Sequence, residues 1–272
     1  MSDPDPWLDL RAHTAARLAL GRSGSSLPTA ELLRFGLAHA QACDAVQRLL
    51  DVPALASRLQ AAGLPSRHLQ SAAADRTAFL LRPDLGRRLS AASRRSLRAV
   101  AREAARAAGP AAAAQGEEFG CDLLLVVADG LSAPAIERNA VPMIAALRRH
   151  ALPDWRLGHL ILATQARVAL GDEIGELLSA RLVAMLIGER PGLSSPDSLG
   201  IYLTWQPRVG RTDAERNCIS NIRPEGLDYE AAAHRFWWLC RQARQLRLTG
   251  VGLKDQSTPL LAGGLPQALG GD

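Results

Sequence analysis

The chain has 272 residues, 47% of them hydrophobic and 22% charged, enough to bury a sizeable core in one large or two modest domains. It contains no long uncharged apolar segment and no signal-type apolar stretch, which excludes membrane-spanning and secreted classes and points to the cytoplasm. A net charge of +5 invites a nucleic-acid partner, but the positive charge is arginine spread along the whole chain (Lys254 is the only lysine), and 4% aromatic residues are too few for a base-stacking surface.

In chain order, residues 1–26 read as a short arm, with a helical piece over Leu8–Leu20 and a loop at Gly21–Ser26. Pro28-Thr29 opens a helix to about Leu50, with Leu32, Leu33, Phe35, Leu37 and Val46 available for its apolar side. A short helix over Ala54–Ala62 ends at Gly63, and the helical reading continues through Gln70. Phe79–Leu81 suggests a short strand broken by Arg82-Pro83, since a residue before proline avoids the helical region. Pro83 or Asp84 then starts a helix to about Ala108, and Gly109–Gly116 reads as a flexible connection.

From Cys121 the pattern changes to strand–helix alternation. Asp122–Ala128 is a continuous apolar run, as in a strand buried on both faces, and Ala133–His150 is a helix. Strands follow within Trp155–Ala163, at Leu182–Ile187 and at Gly200–Trp205, with a short helix at Gly171–Ala180 and a long one at Asp228–Leu248. The expected fold is α/β: a Rossmann-like, mostly parallel sheet flanked by helices (116–250), preceded by a helical N-terminal region (1–115) and followed by a flexible tail (251–272).

The polar residues gather after strands. Leu182–Ile187 ends in Gly188-Glu189-Arg190-Pro191-Gly192, and Gly200–Trp205 is followed by Arg208, Arg211, Arg216 and Cys218. In open α/β sheets ligands bind at the carboxyl ends of strands, so both exits are expected on one binding rim. The turn Asp129-Gly130-Leu131-Ser132 lacks a phosphate-cradle pattern; Ser132 is equally suited to capping the next helix and to touching a ligand. Six histidines and four scattered cysteines form no metal spacing, and no complete catalytic set is visible.

GRSG and LLRFGLAHAQACDAV (21–46), LLRPDLGRRL (80–89), VVADGLSAPAI (126–136), ARVALGDEIGE (166–176), IGERPGLSSPDSL (187–199) and ERNCISNIRPEG (215–226) together resemble the small subunit of ethanolamine ammonia-lyase, in order and over most of the chain. The resemblance implies an adenosylcobalamin-dependent enzyme that converts ethanolamine to acetaldehyde and ammonia, starting from homolysis of the cobalt–carbon bond. It places the substrate pocket in a large partner subunit, and the small subunit shares cofactor binding and is inactive alone. Carried over by motif, Val168, Glu189 and Cys218 face the corrin, Val168 and Cys218 through their main chains; Cys218 also fits the role of a small buried hydrophobe. A carboxylate accepts the N–H groups of the amides around a corrin rim. The resemblance further implies a cofactor bound with its own dimethylbenzimidazole, and the absence of a DxHxxG motif fits.

Arg190, Arg208 and the RPDLGRR block serve folding, subunit contacts or plain solvation. Some relatives carry a longer leader for a microcompartment; free cytoplasm is the expectation here. The competing reading is a non-catalytic Rossmann-like module that recognises an anionic partner through its arginines.

Overall fold

The computed structural model describes residues 7, 10, 13–14, 16–114 and 120–257. Among the elements that the described residues complete, seven helices surround one six-stranded sheet: α1 (Thr29–Gln47), α2 (Val52–Ala61), β1 (Ser66–Gln70), α3 (Arg76–Leu81), α4 (Ala91–Ala114), β2 (Cys121–Ala128), α5 (Ala133–Arg149), β3 (Leu160–Thr164), α6 (Leu170–Leu177), β4 (Ala180–Gly188), β5 (Leu199–Trp205), β6 (Arg216–Ile222) and α7 (Tyr229–Leu246). The sheet order is β1-β3-β2-β4-β5-β6.

The sheet is mixed, which corrects the mostly parallel Rossmann-like expectation. β1, β3, β2 and β4 run parallel, whereas β4–β5 and β5–β6 are antiparallel. A parallel return needs a crossover of about a dozen residues or more, usually helical. The links 189–198 and 206–215 are shorter and hold at most a 3-10 turn, Asp213–Glu215, so the chain turns back on itself. The exit of β5 therefore lies at the opposite edge from the exit of β4, with the Gln206 N–H on the carbonyl of Arg181 (2.8 Å). The expected shared rim for both exits does not form.

Every residue of β2 is buried, and its side chains alternate between two cores. Leu123, Leu125 and Val127 pack with α2, α5 and α7; Leu124, Val126 and Ala128 pack with Leu97 of α4 and Leu170 and Ile174 of α6. The helices start where short polar side chains cap them: Asp51, Asp75, Ser132 and Asp228 each accept a main-chain N–H of the first turn. The expected helices over Ala54–Ala62, Ala133–His150 and Asp228–Leu248 are present with bounds shifted by a few residues.

Other expectations are corrected. Ser66–Gln70 is a strand, not helix, and pairs in register with β3. Only Leu69 of its five residues is buried, so no apolar alternation announces it; pairing to a neighbour decides the conformation. Phe79–Leu81 lies in helix α3, because Asp75 caps that turn. Residues 85–87 form a 3-10 turn before α4, which continues through Gly109-Pro110, carried by an alanine-rich stretch of high helix propensity. The helix foreseen over Leu8–Leu20 is absent at residues 13–14 and 16–20, and its remaining positions below 16 include ones outside the described residues. α1 buries only Ala45, leaving Leu32, Leu33, Phe35 and Leu37 exposed rather than packed. Residues 251–257 continue against β6, where the Asn217 amide donates to the carbonyl of Leu253 (2.7 Å); 258–272 lie outside the described residues.

A buried ion pair ties β6 to α6. Arg216 donates to both oxygens of Asp172 (2.6 and 2.7 Å) and to the Thr204 hydroxyl (2.8 Å), with both charged side chains 2% exposed. Removing one partner strands the other charge in the core. We expect Asp172→Ala to cost about 3–5 kcal/mol in urea unfolding, and Asp172→Leu combined with Arg216→Met to recover much of it. Equal stability of Asp172→Ala and the parent chain would show that the pair is not a stabilising contact.

Candidate functional site

The turn after β2 is the structural knot beneath the site. Asp129, 1% exposed, accepts main-chain N–H groups from Gly130 (2.9 Å), Gln165 (2.9 Å) and Ala166 (3.1 Å). Burial pushes its carboxyl up, and the three amides and nearby Arg76 oppose that shift. Gly130 adopts φ +55, where an L side chain is strained, and a Cβ there or on Gly188 would overlap the facing backbone. The Leu131 N–H then reaches the carbonyl of Gly188 (3.0 Å), which fixes where β4 ends and Glu189 begins. Ser132 acts as the cap of α5, and its hydroxyl donates to the carbonyl of Pro196 (2.7 Å).

Glu189 is half-buried. One carboxylate oxygen accepts the N–H of Asn221 (3.1 Å), and the other lies over Gly200, where an added Cβ would sit 2.9 Å from it. Among the described residues that second oxygen accepts no hydrogen bond. Asn221 holds φ 58, so its amide can turn towards β4. The carboxylate therefore bridges the β4 end and β6 across the intervening strand, leaving acceptor capacity free.

Cys218 is exposed and sits directly across from Tyr202, which in turn pairs with Met185 of β4. The thiol and the Tyr202 hydroxyl are hydrogen-bonded. Although the residue is exposed, protein packed around it strips water from the thiol and pushes it up; the Tyr202 hydroxyl works against this, and Glu189 adds to the rise. The same surroundings, burial first, raise the Tyr202 hydroxyl. Val168 follows β3 in the turn that opens α6; its carbonyl accepts the N–H of Gly171 (3.0 Å), and Gly171 packs against Met185. Val168 and Tyr202 flank the same core on one sheet face.

The three residues expected to face a cofactor thus converge. Val168 lies beside α6, Cys218 two strands beyond β4, and Glu189 at the β4 end, around a stretch of β5–β6 whose Tyr202 is half-buried and whose Cys218 and Ser220 are exposed. No catalytic pair accompanies them, and no group of three metal-ligating side chains occurs among the described residues.

The arginines divide differently. Arg211 and Arg216, expected on the binding rim, are spent inside the chain: Arg211 pairs with Glu215 and donates to the carbonyl of Trp205 (3.2 Å). Arg190 and Arg208 are exposed. In the RPDLGRR block, the Arg88 side chain (3.0 Å) and the Leu89 N–H (2.9 Å) donate to Glu173, as does Arg94 (2.5 Å), so this block docks α4 onto α6. Tyr202 and Gly200 escaped the sequence reading as site residues, and Asn221 entered it only within the block ERNCISNIRPEG. Asn221 carries a weak signal as a polar, turn-favouring residue, whereas nothing local marks Tyr202.

Fold and site together define a mixed α/β protein with a candidate binding surface at Glu189, Tyr202 and Cys218. Residues 4–254 match the ethanolamine ammonia-lyase light chain (EutC) family. The chain is 53% identical over 257 residues to the ethanolamine ammonia-lyase small subunit of Pseudomonas paraeruginosa (strain DSM 24068 / PA7), covering 94% of this chain and 89% of the relative. It is 52% identical over 254 residues to that of Pseudomonas putida (strain W619), with 93% and 89% covered, and to that of Pseudomonas syringae pv. tomato (strain ATCC BAA-871 / DC3000), with 93% and 84% covered. The chain belongs to the ethanolamine ammonia-lyase light-chain family.

Replacing Glu189 by Gln removes the charge that raises the Cys218 thiol, so its alkylation by iodoacetamide should begin at lower pH. Tyr202→Phe removes the opposing hydrogen bond and should shift it to higher pH. Peptide-resolved mass spectrometry reads both, and unchanged profiles would mean that the three side chains do not share one environment.

Proposed function

We propose that the chain is the small, cofactor-sharing subunit of an ethanolamine ammonia-lyase, working with a large subunit that holds ethanolamine. Family membership makes it a lyase subunit that acts within a complex. The observation that carries the cofactor part is the convergence of Glu189, Cys218 and Val168 around an uncovered part of the sheet.

The donor set suits a corrin. Its rim carries primary amides, and Glu189 offers a half-buried carboxylate already held by Asn221 with an oxygen to spare. The exposed residues Cys218 and Ser220 and the turn at Val168 would offer contacts at the other side. When bound, adenosylcobalamin supplies a homolysable cobalt–carbon bond. The work of this chain is to orient the ring and to close off water from one side. Hydrogen bonds of about 0.5–1.5 kcal/mol net each, few in number, hold so large a ligand weakly, so tight binding belongs to the assembled complex.

One feature of the fold supports work in a complex. The exposed Leu32, Leu33, Phe35 and Leu37 of α1 are large apolar side chains that a larger partner would cover. No helix among the described residues is long and apolar enough to cross a membrane. Free thiols at all four cysteines suit the cytoplasm, where we place the reaction. The anionic-partner module is set aside because the family match spans the chain.

Co-expression with a matching large subunit should give acetaldehyde release that needs ethanolamine, adenosylcobalamin and both chains. Glu189→Ala should leave the complex folded and raise the cobalamin Kd about 10- to 100-fold, as for loss of a charged hydrogen bond of about 1.5–3 kcal/mol. A complex that turns over without the cofactor, or that binds it equally with alanine at 189, would refute the reading.

A further inference from the structure

A second cluster lies next to the first, and the contacts of the folded chain leave part of it unsatisfied. Phe79 is fully buried, and two guanidinium groups stack on its ring, Arg76 at 4.8 Å and Arg167 at 4.2 Å from the centroid. Arg76 is 6% exposed and donates to the carbonyls of Val46 (2.7 Å) and Gly130 (2.9 Å), yet its Nη2 is buried without a partner. Arg167 donates to the carbonyl of Phe79 (3.1 Å), and its Nε is likewise buried and unpartnered. A buried N–H left unpaired costs free energy, and a charged one costs more.

The local charge is unbalanced. Burial lowers the Arg167 guanidinium, and the positive charges of Arg76, Arg87 and Arg190 lower it further. Asp129 is the opposing carboxylate, 3.6 Å from Arg76, but three main-chain amides already occupy it. Among the described residues, Arg87 and Arg190 have no ion-pair partner. Arg76 and Arg167 thus share one saturated carboxylate, each with an unpartnered donor, and two further guanidinium groups add positive charge nearby.

We propose that Arg76, Arg167 and Arg190, with Arg87 at the margin, form a site for a phosphate-type oxyanion, and that the anion is the phosphodiester carried by cobalamin itself. Planar guanidinium forks match phosphate oxygens in geometry and charge. The source follows from adjacency: Arg167 precedes Val168 and Arg190 follows Glu189, the two residues set against the corrin at the ends of β3 and β4. A ligand seated on those residues carries its one negative group into the arginines. This assignment rests on the cofactor reading above.

The test compares two ligands on the assembled complex with the large subunit: cobalamin, and cobinamide, the corrin without the phosphate-bearing nucleotide loop. Equilibrium dialysis read by absorbance gives both dissociation constants without turnover. Arg190→Gln and Arg167→Gln should weaken cobalamin about tenfold or more and leave cobinamide within about twofold, whereas Glu189→Ala should weaken both. Arg190 is exposed, so its replacement leaves the fold intact even if Arg167→Gln disturbs the packing on Phe79. Equal losses for the two ligands, or no loss for cobalamin in Arg190→Gln, would overturn the phosphate site while leaving the cofactor reading standing. Failure of the unaltered complex to bind either ligand would overturn both.

Discussion

The carboxylate of Asp129 is the constraint on which the site hangs. A charge buried to this extent is tolerable only when hydrogen bonds replace its lost water, and here three amides do so. Two of those amides belong to Gln165 and Ala166, so satisfying Asp129 dictates the path of the chain from β3 into the turn that holds Arg167 and Val168. The third belongs to Gly130, whose left-handed backbone lets the end of β4 approach closely enough for the Leu131 N–H to bond Gly188. Arg76 carries the same knot outward to the carbonyl of Val46 at the end of α1. The departure points of Val168 and Glu189 are thereby set by one buried group that touches neither.

A reversal of strand direction then makes the surface that the site needs. β2 and β4 are walled on both faces, one by α5 and α7 and the other by α4 and α6. The connections after β4 and β5 contribute no helix, so the face of β5 and β6 bearing Tyr202 and Cys218 lies beyond the cover of α6. The buried pair of Arg216 and Asp172 pins that uncovered edge to α6, and Asn221 holds it to Glu189. The result is an open ledge on β5 and β6, tied to β4 and α6 by these polar contacts.

Much of the framework was legible along the chain because local rules govern it. The all-apolar run of β2, the apolar β4, and the helices capped by Asp51, Ser132 and Asp228 carry their own signals. Elements with polar residues and a single buried anchor gave none: β1 exposes Arg67 and His68, and β6 alternates irregularly between buried and exposed positions. Phe79–Leu81 misled because a short apolar run suits strand and helix alike, and the cap at Asp75 arbitrates.

Residue order alone thus established the family resemblance, the main helices and the inner strands, since propensity, capping and apolar period act over a few neighbouring residues. Strand direction, the joining of Glu189 to Asn221, the pairing of Tyr202 with Cys218 and the stacking of two arginines on Phe79 arose only from tertiary structure. These contacts join residues far apart along the chain, and each satisfies a buried polar group or pairs an open strand edge. Such demands exist only once the surrounding protein has displaced the water.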